Sequence, residues 1–400
     1  MNARPVGIHD ISFATTHYVL DHVVLAQQHG VDADKFHFGL GQDAMSIAAA
    51  DEDIVTMAAA AAAPIIERHG VEHLRTVLLA TESGIDQAKS AGLYLHSLLG
   101  LPTAARVVEL KQACYGATAA LQFAMALITV DPSQRVLVIA TDIAKYELGT
   151  AAEPTQGAAA VAMLVTADPA ILRLEPVSGV YAKDIMDFWR PNYRTAAVVD
   201  GKSSVLAYLE AIEGAWQDYR DRGGRKLTEF TQFCYHQPFT KMAYKAHRHL
   251  LDSQGFTPDP QTVEAAVSDS TGYNRTIGNS YTASLYLGLA AALDGHADLS
   301  GRPIALVSYG SGCVAEFFGG TVVDGYRDQL RTAANGNAIT RRKPIDYDRY
   351  RALHEAELPS DGRRHVLPEE TSGPFRLAAI SEHKRIYETR TEHIELTEIN

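Results

Sequence analysis

Four hundred residues, 46% of them hydrophobic, suffice for a large soluble core and for two or three domain-sized units. A formal net charge of −12 with no compensating basic run excludes a general nucleic-acid binder, so an anionic ligand has to meet a local basic patch. Met1 to Thr15 carries no apolar run of signal-peptide length, which argues against export. The three cysteines, Cys114, Cys234 and Cys313, are too widely spaced for a disulfide framework and fit a reducing cytoplasm.

In chain order, the first strong element is Ile54 to Ile66, with six consecutive alanines from Ala58 to Ala63. It is too short to cross a bilayer and predicts a buried helix that Pro64 kinks or bounds. Thr76 to Ala80 predicts a buried strand running into Thr81-Glu82-Ser83-Gly84, with a helix starting near Asp86. Arg106 to Leu110 predicts a second strand, and Ala117 to Ile128, small and apolar, a helix. Arg135 to Ala140 runs into Thr141-Asp142, and Ala158 to Val165 is a further strand. A join of mixed polarity, holding Pro176, Pro191 and Gly201, lies between Asp168 and Gln217. Beyond it Phe230 to Tyr235 runs into His236, Lys241 to Arg248 falls in a helix, and Leu285 to Leu293 is an apolar helical run. Ile304 to Ser308 then runs into Tyr309-Gly310-Ser311-Gly312. From about Ala333 the chain turns polar, as surface helix and loop do, with a last strand at Phe375 to Ile380; Glu392 to Asn400 reads as frayed. Alternating strands and helices predict an α/β fold with mostly buried strands, in two similar halves, residues 1–170 and 171–400.

Ligands in such folds gather beyond the carboxyl ends of strands, and Glu82, Cys114, His236 and Ser311 all fall there. Cys114 sits where a strand turns into a helix, near unpaired N–H groups and the positive end of the helix dipole, a setting expected to favour the thiolate. A free cysteine also serves as a small core residue. Glu82 is either a loop carboxylate or a base in a poorly solvated cleft. His236 is either a hydrogen-bonded structural residue or a neutral donor, and Asn279 a helix cap or its partner. Lys241 and Lys245 form a solvated face or a patch for phosphates. The glycine turn around Ser311 can aim N–H groups at an oxyanion. Gly39-Leu40-Gly41 lacks a preceding strand and is discounted. His247 and His249, two apart on a helix, cannot share a face, and no metal-ligand spacing is present.

Taken together, Gly7-Ile-His-Asp, TESGID around Glu82, ELKQACYGAT around Cys114, EPTQGAAAVAM from Glu153, DFWRPN from Asp187, HQPFTKM from His236, GNSYTASLYLGL from Gly278 and SYGSGCVAEFF from Ser308 span nearly the whole chain. In these segments it resembles the 3-hydroxy-3-methylglutaryl-CoA synthase family of the bacterial mevalonate-pathway type, with Cys313 where serine is more usual. The resemblance implies a thiolase-like fold of two related halves in an αβαβα arrangement, active as a homodimer. It implies Cys114 as the nucleophile that takes acetyl from acetyl-CoA, Glu82 as the base, and His236 with Asn279 as the groups that position acetoacetyl-CoA. The N–H groups of Cys114 and Ser311 would form the oxyanion hole, and Asp142, Tyr146, Thr155 and Asp187 would surround the acyl pocket. No cofactor, metal, nucleic acid or membrane is implied. The alternatives are a β-branching synthase acting on carrier-protein-bound polyketides, a ketoacyl synthase, against which the Glu82 motif argues, and a non-catalytic scaffold.

Overall fold

A computed structural model describes residues 4–257 and 259–390. Nine strands form one mixed sheet: β1 (Val6–Thr15), β2 (Leu74–Ala80), β3 (Arg106–Leu110), β4 (Arg135–Ile143), β5 (Ala158–Ala167), β6 (Leu172–Ala182), β7 (Gln232–Tyr235), β8 (Pro303–Gly310) and β9 (Val314–Val322). Their order across the sheet is β7-β8-β9-β6-β1-β5-β4-β2-β3. The run β2-β4-β5-β1 pairs parallel, antiparallel, antiparallel, and so does β7-β8-β9-β6. The two halves thus repeat one motif, and among the described residues the second has no counterpart of β3. β1 and β6 join them through a short pairing at Gly7 and Ile8.

Strand alternation sorts the side chains into layers. In the first half Val77, Leu79, Leu137, Ile139, Ala160 and Ala162 face the outer helix α1 (Ile54–His69). Their neighbours Leu78, Ala80, Val138, Ala140, Val161 and Met163 face inward. There they meet α2 (Gly116–Val130), whose Ala117, Ala120, Leu121, Ala124 and Ile128 recur at helical spacing on one stripe. In the second half Ile304, Leu306 and Phe318 face the same central layer, which includes α5 (Ser284–Asp294). Ala305, Val307, Ala315 and Phe317 face α3 (Gly201–Asp221) and α4 (Thr240–Ser253) outside. The result is helix, strands, central helices, strands, helix.

Three sequence expectations change. α1 is capped by Asp53 and runs through Pro64 to His69, so Pro64 is no boundary. The helix expected near Asp86 spans Gly92–Leu98, because the Asp86 side chain closes a turn onto the N–H groups of Ala88 and Lys89. The stretch from Asp168 to Gln217 is not a linker: it holds β6, a hairpin of Phe188–Trp189 with Val198–Val199, and most of α3. Its mixed polarity reflects a strand with one exposed face and a surface hairpin. The expected last strand is Phe375–Ser381, paired with Lys384–Thr389. Glu392 to Asn400 lies outside the described residues.

Candidate active site

The repeat of the fold places chemistry at equivalent strand ends. Glu82 follows β2 and His236 follows β7, the matching strand of the second half. Cys114 lies between β3 and α2, where Ala113 takes a left-handed φ of 42° that turns the chain sharply. The turn between β8 and β9 carries Ser311. It approaches the Cys114 loop so closely that a Cβ on Gly310 would lie 2.6 Å from both Gln112 O and Tyr115 N, so glycine is required there. Asn279 follows Gly278, whose φ of 89° and contact with Gln156 O leave no room for a side chain. The backbone N–H of Asn279 donates to Thr155 O at 2.9 Å, and its Oδ1 accepts from Tyr281 N at 2.9 Å.

These loops close around a cavity of about 570 Å³. Cys114, His236, Asn279, Ser311, Tyr146 and Thr155 line it, with Leu40, Phe188, Tyr208, Tyr281 and Met242. The Cys114 thiol donates to Glu82 Oε1 at 3.1 Å. Burial and the Glu82 carboxylate push that thiol well above its usual range, which overturns the thiolate expected from the helix dipole. The N–H groups of the helix start are outweighed by desolvation and a like charge. Burial, and then Asp142, push Glu82 up to about 8. Burial pushes the His236 imidazole down to about 3, so it is neutral throughout the physiological range. Its backbone is fixed on both sides: the N–H donates to Val307 O at 2.9 Å and the carbonyl accepts from Tyr208 Oη at 2.8 Å.

Asp142 and Asp187 stand behind the cavity wall rather than on it. Asp142, wholly buried at the end of β4, accepts through Oδ1 from Thr81 Oγ1, Glu82 N, Ser83 N and Ser83 Oγ. Through Oδ2 it accepts from Thr282 N and Thr282 Oγ1 of the second half. Asp187, also wholly buried, accepts from Tyr309 Oη, Ser204 Oγ and Gly312 N. With their oxygens committed to protein donors, both carboxylates hold the Glu82 and Ser311 loops and do not face a substrate. Replacing Asp142 with alanine strands six donors, and is expected to cost ~2–4 kcal/mol of stability. Thermal melting checks this, and an unchanged midpoint contradicts it. Lys241 and Lys245 also stand off the cavity lining, on the first turns of α4, with Nζ 5.3 Å from the Tyr244 ring and 5.1 Å from the Phe239 ring. Neither forms an ion pair among the described residues.

The sequence reading missed several wall residues. Leu40 belongs to the discounted glycine pair, and Phe188, Tyr208 and Tyr281 look like ordinary core aromatics in sequence. The motif DFWRPN was visible, but nothing in it signalled that Arg190 reaches the Glu82 carbonyl.

Residues 2–170 match the family model described as hydroxymethylglutaryl-coenzyme A synthase N terminal, and residues 172–257 and 256–345 match its C-terminal counterpart. The chain belongs to the hydroxymethylglutaryl-CoA synthase family. The hydroxymethylglutaryl-CoA synthase of Enterococcus faecalis is 40% identical over 357 residues, 89% of this chain and 93% of that protein. A crystal structure of an HMG-CoA synthase complexed with CoA superposes with a TM-score of 0.91 at 42% identity, covering 96% of this chain and all of the other. The polyketide 3-hydroxy-3-methylglutaryl-ACP synthase PksG of Bacillus subtilis is 32% identical over 401 residues, 94% of each chain. The five layers are therefore those of the thiolase-like fold that the sequence resemblance implied.

Proposed function

We propose that this synthase condenses acetyl-CoA with acetoacetyl-CoA and water to give 3-hydroxy-3-methylglutaryl-CoA and CoA, in the mevalonate route to isoprenoids. The observation that carries the reading is the Cys114 thiol held 3.1 Å from the Glu82 carboxyl on the wall of a cavity that His236 and Asn279 share. In the first step Sγ attacks the acetyl carbonyl, the thiol proton leaves to a neighbouring base, and CoA departs as its thiol. Glu82 then takes a proton from the acetyl methyl group, and N–H groups of Cys114 and Ser311 stabilise the enolate oxygen. The methylene carbon attacks the keto carbon of acetoacetyl-CoA, whose oxygen takes up a proton. Water finally cleaves the Cys114 thioester to the free carboxylate and restores the thiol. No step changes an oxidation state, so the chemistry calls for no redox cofactor.

The test is acetyl-CoA-dependent loss of acetoacetyl-CoA absorbance with formation of the C6 product, run beside carrier-protein-linked substrates. Turnover confined to the carrier-linked substrates would shift the assignment to polyketide β-branching. The stronger likeness to the Enterococcus enzyme than to PksG supports the CoA reading.

His236 serves the second substrate in this scheme, because a neutral imidazole donates to a carbonyl without adding charge to a dry site. His236→Ala is expected to raise the KM for acetoacetyl-CoA steeply while Cys114 still becomes acetylated. A variant that cannot be acetylated but binds acetoacetyl-CoA normally would make His236 the base for the thiol. Lys241 and Lys245, left without ion pairs beside the cavity, are assigned to CoA phosphates, and Tyr146 and Thr155 to the acyl pocket.

The active form is assigned as a homodimer built on the β3 edge. β3 is the end strand of the sheet, and Val108 on it is 44% exposed. Beside it α2 leaves Phe123 at 52% and Val130 at 86% exposed. An open edge next to an apolar face invites a partner. The same apolarity makes Ala113–Val130 long and hydropathic enough to span a membrane by composition, which a central layer and a dimer face explain. Light scattering is expected to give twice the chain mass, and Val108→Asp to lower it to the monomer; a monomeric parent chain contradicts the assignment. The free cysteines support a cytoplasmic, reducing compartment.

A further inference from the structure

Arg190 follows the Phe188–Trp189 strand of the hairpin that walls one side of the cavity. Its guanidinium reaches out of that hairpin to hydrogen-bond the main-chain carbonyl of Glu82. Among the described residues it forms no ion pair with any carboxylate side chain. An arginine that meets a carbonyl instead of a carboxylate keeps its charge uncancelled, and at this half-buried position the charge stands beside Glu82.

The groups around Glu82 define what the charge does. Cys114 donates to Oε1, and Asp142 Oδ1 accepts from the Glu82 N–H at 2.9 Å. Tyr146 and Tyr281 line the cavity, and Lys145 lies near Arg190 with its amine pushed down by burial. Burial and Asp142 both oppose ionisation of Glu82, whereas the Cys114 hydrogen bond and then Arg190 favour it. A base that must take a methyl proton has to be ionised first, so the balance matters.

We propose that Arg190 is a positioning residue for proton abstraction: seated on the Glu82 carbonyl, its fixed charge keeps the Glu82 side chain available as a carboxylate and its hydrogen bond holds that loop against Cys114. The assignment rests on the roles given above to Cys114 and Glu82. A purely mechanical role, stapling the hairpin to the loop, would use the hydrogen bond and not the charge.

The experiment is a pH profile of condensation beside a rate of Cys114 acetylation, for the parent chain, Arg190→Gln and Arg190→Lys. The parent profile is expected to rise to a plateau with a midpoint near 8, where burial and Asp142 place Glu82. Arg190→Gln is expected to move the midpoint up by about one unit and to cut condensation at neutral pH roughly tenfold, with acetylation much less affected. Arg190→Lys, which keeps the charge, is expected to restore most of the shift. Should the Gln variant not fold, Arg190→Met removes the charge at similar length and gives the same readout. An unmoved midpoint in a folded, charge-free variant overturns the proposal, as does equal loss of both steps in the Lys and Gln variants. A parent chain that neither acetylates nor condenses overturns the functional reading and this assignment with it.

Discussion

Cys114→Ala is expected to abolish acetyl transfer and turnover while the chain remains folded. The thiol is the proposed nucleophile on the cavity wall, and the other two cysteines are not placed to replace it. Cys234 faces the central layer, where burial pushes its thiol up to about 12. Cys313 packs among the outer-layer residues, pushed up to about 11 chiefly by burial. Removing one Sγ leaves a small void beside an existing cavity, so the stability cost stays at about 1 kcal/mol or less. Peptide mass spectrometry after incubation with acetyl-CoA checks the result: the acetyl group belongs on Cys114 in the parent chain and nowhere in the variant. An acetyl group on Cys234 or Cys313 would contradict it.

Glu82→Ala is expected to uncouple the two chemical steps. Acetyl-enzyme still forms, more slowly because the thiol has lost its hydrogen-bond acceptor, whereas condensation falls by a factor of about 10²–10⁴, the usual worth of a general base. Equal loss of both steps would make Glu82 structural. The same residue is expected to govern two opposed pH dependences. Condensation is expected to rise with pH through about 8, because the proposed base must first lose its proton. Stability moves the other way. Between the ordinary 4.5 and about 8 the folded chain holds a proton that the unfolded chain has released, so stability declines as pH rises across that window. Glu82→Gln, which cannot ionise, is therefore expected to gain melting temperature over the parent chain on going from about pH 6 to about pH 9. A constant difference would show that the carboxyl is not strained by its site.

The strands were legible because buried β-rich runs ended in polar residues. Glu82, Cys114, His236 and Ser311 stood at such ends, so their convergence followed from the fold class alone. Their protonation did not. The helix start suggested a thiolate, but the field at Sγ is set by Glu82 and by the exclusion of water, and Glu82 lies 32 residues away in sequence. The roles of Asp142 and Asp187 were likewise hidden, since their partners Thr282 and Tyr309 come from distant segments. Leu40 was dismissed for want of a strand, although its carbonyl accepts from Lys241 N at 2.8 Å and so docks the loop on α4 beside the cavity. Local pattern reveals strand ends; it cannot reveal which buried groups face one another across them.

In the proposed reaction a covalent acetyl group passes from Cys114 to the second substrate, and a pulse-chase follows it directly. The parent chain is loaded with labelled acetyl-CoA, freed of excess reagent and chased with unlabelled acetoacetyl-CoA. The label is expected to leave the Cys114 peptide and to appear in 3-hydroxy-3-methylglutaryl-CoA, with free CoA released in the loading step. Label that stays on Cys114 through the chase, or that leaves only as acetate, would contradict the account.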